Sequence, residues 1–142
     1  MKVILLMVCS LLPFFARAEQ VIVLGAENLE AELNTTLENL NGTTTVVLPA
    51  GRFELSNELI IDRPGLVLKG QGASKTILSF AKQKAGPQGI IATKDQVTFE
   101  DFAVEDSFGN AIKVIGAKHV TFRRVKVSWT RGKSEKNGAY GL

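Results

Sequence analysis

The chain has 142 residues, 45% of them hydrophobic, and its 17 basic and 14 acidic side chains give a formal charge of +3. That length is one ordinary domain, large enough to bury a core. Its single cysteine, Cys9, excludes an internal disulfide and a thiolate metal site.

The first feature in chain order is Lys2, followed by an apolar run from Val3 to Phe15 and the triplet Ala16-Arg17-Ala18. Charged, apolar and small-residue regions in that order predict a cleaved signal peptide over residues 1–18. A membrane anchor is the competing reading. The run, however, is shorter than the roughly 20 residues that span a bilayer, and Pro13 interrupts it. A lipoprotein signal at Cys9 would need a small residue where Val8 stands. The mature protein is therefore expected to be secreted or periplasmic, with no integral membrane span. Loss of Lys2 and Arg17 lowers the charge from +3 to +1, which conceals a division along the chain. Residues 19–62 hold eight acidic side chains against Arg52 alone, and from Arg63 onward fourteen basic face six acidic. An exported protein with such a basic half suits an acidic glycan or lipid surface rather than nucleic acid. Simple solvation of the surface is the plainer alternative.

In residues 19–44, Ala26, Leu29, Leu33, Leu37 and Leu40 recur at spacings of three and four, with Asn41-Gly42 as a stop. The spacing predicts one amphipathic helix. From Thr45 to the end the pattern changes to short alternating runs: Val46 to Leu48, Phe53 to Leu55, Leu59 to Ile61, Leu66 to Leu68 and Ile77 to Phe80. Strands this short, with no helical spacing between them, exclude a doubly wound fold and leave a sandwich, a barrel or a solenoid.

An internal repeat separates these. Gln96 to Val104 is echoed by His119 to Val127, displaced by 23 residues, and the same displacement carries Gly86 onto Gly109 and Ile91 onto Val114. Two units follow one template, Gly86 to Phe108 and Gly109 to Arg131. In the second, Ile112, Val114, Val120, Phe122, Val125 and Val127 point inward, and the alternation resets across Arg123-Arg124. A two-residue reset turns the chain sharply while keeping apolar side chains inside, as one rung of a triangular coil requires. Stacked rungs should place Lys69, Glu100 and Arg123 in one column, Thr98 beside Thr121, and Asp95 beside Lys118.

The segment from Val46 to Leu55, with Pro49-Ala50-Gly51 at its centre, followed by Leu59 to Asp62 and Leu66 to Gly72, resembles the first rung of right-handed parallel β-helix proteins. These form the pectin-lyase-like group, which includes pectate lyases and alginate epimerases. The resemblance spans Thr45 to Leu142 and implies an all-β, right-handed parallel β-helix with the amphipathic helix as its N-terminal cap. An uncapped solenoid end exposes apolar side chains and unpaired backbone groups, so the cap has a physical purpose. Asn137 to Leu142 reads as the first strand of a third unit, with Tyr140 and Leu142 in the places of Ile112 and Val114. The expectation is an N-terminal fragment of a longer coil.

In the resembling enzymes, substrate lies along the first-strand sheet, here Gly89 to Thr93, Ala111 to Ile115 and Ala139 to Leu142. The loop from Ser128 to Asn137 is about five residues longer than the template. It holds Trp129, Arg131, Lys133 and Lys136. Aromatic faces stack on sugar rings, and arginine grips carboxylates through two parallel hydrogen bonds. These four and Lys113 are the candidate substrate-binding residues, with acidic polysaccharide as the partner. The plainer reading is that Trp129 covers the edge of the core while the lysines are solvated. His119 is the only histidine and has no cysteine or second histidine nearby, so zinc and triad roles lack support. No cofactor is called for. Calcium is possible in the group, but the carboxylates of Glu100-Asp101 and Glu105-Asp106 should point to opposite faces. Two functions follow. One is a lyase or epimerase on acidic polysaccharide, whose catalytic residues are unknown because the group draws them from later rungs. The other is a non-catalytic binding or structural protein of the periplasm or cell surface.

Overall fold

The computed structural model describes residues 19–138, 141 and 142. The signal peptide and the expected inward Tyr140 lie outside the described residues. A strand that the sequence pattern did not announce, β1 (Gln20–Val23), precedes helix α1 (Leu29–Asn39). There follow β2 (Thr44–Val47), β3 (Gly51–Glu54), β4 (Asn57–Ile61), β5 (Leu66–Lys69), β6 (Thr76–Ser79) and β7 (Ala85–Ala92). The last five strands are β8 (Thr98–Glu100), β9 (Ala103–Glu105), β10 (Ile112–Val114), β11 (Thr121–Arg123) and β12 (Lys126–Ser128).

The strands form three sheets, ordered β1-β2-β5-β8-β11, β3-β6-β9-β12 and β4-β7-β10, and every pairing is parallel. From β2 onward the chain visits the three sheets in turn, and each strand pairs with the one three places later. A sandwich with hairpin connections is thereby excluded. The all-β, parallel arrangement with one short helix is consistent with a parallel β-helix.

Period-two alternation puts one side-chain row of each strand inside. In the first sheet that row is Val46, Leu68 and Phe99, all fully buried, ending at Phe122. Phe99 stacks on Phe122 with ring centroids 5.3 Å apart, and meets the edge of Phe102 at 6.3 Å. The last rung is more open, and Val114 is 38% exposed. Leu29, Leu33 and Leu37 of α1 join the same core. The helix is also tied to the first turns of chain beneath it. Glu30 accepts hydrogen bonds from the Ser56 and Asn57 amides at 2.9 Å, and the Arg63 guanidinium donates to the Leu37 and Glu38 carbonyls at 3.1 Å. Those carbonyls belong to the final turn, where a helix has no internal donors left.

The 23-residue displacement holds across two of the three sheets: Thr98, Phe99 and Glu100 pair with Thr121, Phe122 and Arg123, and Ala103 pairs with Lys126. In the third sheet it fails by one residue. Ile90 pairs with Ile112 and Ile91 with Lys113, so Ile91 does not stack on Val114, whose neighbour is Ala92. Nor does Gly86 stack on Gly109, which lies against Pro87. The lost residue is regained in the connection after Val114, which takes five steps to reach His119 where Ala92 reaches Gln96 in four.

Candidate functional site

Corners of the coil position the site. Asp106 leaves β9 with φ of 56°, a left-handed conformation that turns the chain out of the second sheet. Its carboxylate accepts from the Thr130 amide at 2.6 Å and the Thr130 hydroxyl at 2.7 Å. This fixes the outgoing end of the long loop one rung above. The Trp129 indole N–H donates to the Ser107 carbonyl at 2.9 Å, and its ring packs on the core edge. The loop returns at Asn137, which bridges to Gly109. Gly109 N–H donates to Lys136 O and Gly138 N–H donates to Gly109 O, each at 2.8 Å. A Cβ on Gly138 would collide with the Gly109 carbonyl, so only glycine permits this approach.

Between the outgoing and returning arms is a cleft of about 360 Å³. Its lining includes Asp106, Phe108, Trp129, Arg131, Lys136 and Asn137. Lys136 Nζ lies 5.8 Å from the Phe108 ring centroid, within range of a cation–π contact. Three of the sequence-predicted residues, Trp129, Arg131 and Lys136, thus share one cavity. Lys133 is exposed on the same loop but does not line it, and Lys113 is separate, beside Ile91 on β10. Sequence reasoning missed Phe108 and Asp106. Its own template held the signal, because a displacement of 23 sets Phe108 under Arg131 and Asp106 under Trp129.

Neither Arg131 nor Lys136 pairs with a carboxylate among the described residues. Asp106 does not neutralise them, since it is committed to Thr130 and lies 3.8 Å from Arg52 Nη2. Arg52 crosses the outer face of the second sheet, bonding Glu105 and, at 3.1 Å, Ser79 Oγ. The hydrogen bond to Glu105 raises the guanidinium pKa further, so this arginine stays charged. Glu100 and Asp101, the other acidic pair, are held by Lys69, Arg123 and Arg124. No group of three or more metal-ligating side chains occurs among the described residues. His119 is exposed at a left-handed bend, in line with Gly65 and Gln96. Among the described residues, no helix is long and apolar enough to cross a membrane. Compared with protein-family models, curated proteins and solved structures, the chain matches none.

Proposed function

We propose that this is an exported, right-handed parallel β-helix of the pectin-lyase-like kind that binds acidic polysaccharide through the cleft beside Trp129. The observation carrying this reading is the meeting of Phe108 and Trp129 with Arg131 and Lys136 in one cavity. Aromatic rings supply apolar faces for sugar rings, and unneutralised cations supply the charge a uronate carboxylate needs. Lyase or epimerase chemistry also requires a base within hydrogen-bond reach of the carbon-bound proton. The carboxylate lining the cleft, Asp106, is already taken by Thr130 and Arg52, which favours binding over catalysis.

The test is retention on immobilised pectate or alginate. Replacing Trp129 and Arg131 together by alanine should reduce retention strongly, while thermal unfolding shows that the coil persists. Undiminished retention of a folded double variant would remove the loop from consideration.

A further inference from the structure

We infer that Gln83, a buried glutamine one rung below the cleft, is a positioning residue that holds Phe108 in place for the ligand, an inference that rests on the binding reading above. Phe108 lines the cleft and is 38% exposed, too open for core packing alone to fix it. Between the end of β9 at Glu105 and the start of β10 at Ile112, the backbone amides must find partners outside the named strands. Three consecutive amides do so in alternation. Phe108 N–H donates downward to Gln83 Oε1 at 3.2 Å, Gly109 N–H upward to the Lys136 carbonyl at 2.8 Å, and Asn110 N–H downward to Gln88 Oε1 at 3.3 Å. Both downward acceptors are side chains, standing where a strand would supply carbonyls.

Gln83 can serve because its own amide is fixed. It is 5% exposed, and its Nε2 donates to the carbonyls of Gln88 at 2.5 Å, Gly86 at 2.9 Å and Ala85 at 3.1 Å. Acceptors crowd one end of the amide and a donor faces the other, so a single orientation satisfies all four partners. A buried side chain engaged at both ends is rigid, and its hydrogen bond to Phe108 N–H carries that rigidity to the backbone beneath the ring. The next amide, that of Gly109, holds the returning arm of the loop, and with it Lys136, whose Nζ lies 5.8 Å from the Phe108 ring centroid. Ring and cation are thus set from one short segment. A uronate must meet an aromatic face and a cation together, and holding both beforehand spares the cost of ordering them on binding.

A double-mutant cycle on the full chain separates positioning from a general structural role, with polygalacturonate as the titrant. Gln83→Met keeps the side chain's length and removes its amide, and Phe108→Ala removes the ring. F108A should bind about tenfold more weakly than the parent and Q83M about fivefold, and the double variant should bind no more weakly than F108A, because Gln83 acts through the ring. A double variant weakened by about the product, roughly fiftyfold, would overturn the inference, as would a Q83M variant that loses stability and keeps its affinity. Absence of binding by the parent would overturn the binding reading and this inference with it. Hydrogen exchange on the parent decides the matter even where Q83M fails to fold. The Phe108 amide should exchange slowly in the free protein and more slowly with polygalacturonate bound. Exchange as fast as in an unstructured peptide, or unchanged by the polymer that the parent binds, would overturn positioning while leaving polysaccharide binding intact.

Discussion

Glu100 of β8 and Arg123 of β11 are ladder partners, with Glu100 Oε2 3.3 Å from Arg123 Nη1. On its other side Glu100 pairs in register with Lys69, whose ammonium is 3.8 Å away, and it also bonds Arg124. One carboxylate, only 10% exposed, thus serves three cations that are each about half exposed. Glu100→Ala leaves those cations facing one another, and the expected loss is about 1–3 kcal/mol, moderated by solvent around the partners. Urea unfolding of E100A, R123A and the double variant measures the coupling. Additive losses would mean that the column contributes nothing as a column.

The neighbouring pair gives a pH dependence. Hydrogen bonding to the Arg124 guanidinium holds the Asp101 carboxyl below the usual carboxylate range. A carboxylate depressed in the folded state adds stability above its unfolded pKa of about 3.9 and loses it as pH falls through the lower folded value. Asp101→Asn should therefore be less stable than the parent at neutral pH, and the two should converge as pH falls through the lowered folded pKa of Asp101. Parallel stability-versus-pH curves for the two proteins would contradict this.

The repeat and the charge column were legible because a rung is a local unit: alternation, reset and displacement are all written within about fifty residues of sequence. The slip in the third sheet was not, because Ile90, Ile91, Ile112 and Val114 are interchangeable as apolar residues. Pairing Ile91 with either Lys113 or Val114 leaves a plausible pattern, and only the backbone decides. Strand β1 escaped notice for a related reason. Gln20 to Val23 is too short to show a period, and Val21 and Val23 face outward, where valine is not expected. Of the cleft, the loop's excess length and its basic and aromatic residues were visible, while the floor of Asp106 and Phe108 needed the rungs to be stacked.

The stacked aromatics rank the rungs energetically. Phe99 is fully buried between Phe102 and Phe122, whereas Phe122 lies in the more open last rung. Phe99→Ala should cost about 3–5 kcal/mol, and Phe122→Ala clearly less, since less of its surface is withdrawn from water. Equal losses in denaturant unfolding would show the last rung to be as well packed as the one beneath it.

Asp106 is the test of how the loop is held. It accepts two hydrogen bonds from Thr130, and Asp106→Ala would strip both while exposing Arg52 to one less carboxylate. Thr130 is exposed, so its freed donors can turn to water and the loss is the net worth of the bonds, about 0.5–1.5 kcal/mol each; the variant should unfold at modestly lower denaturant. A gentler change divides anchoring from stability: Thr130→Val removes the hydroxyl donor but keeps the backbone amide on Asp106. The parent's Trp129 fluorescence should be blue and poorly quenched by acrylamide, because its indole is bonded to Ser107 O against the core edge. Both variants should shift it red and raise quenching, Asp106→Ala more than Thr130→Val. Unchanged emission in Asp106→Ala would mean that the core contact of Trp129, and not the carboxylate, holds the cleft in shape.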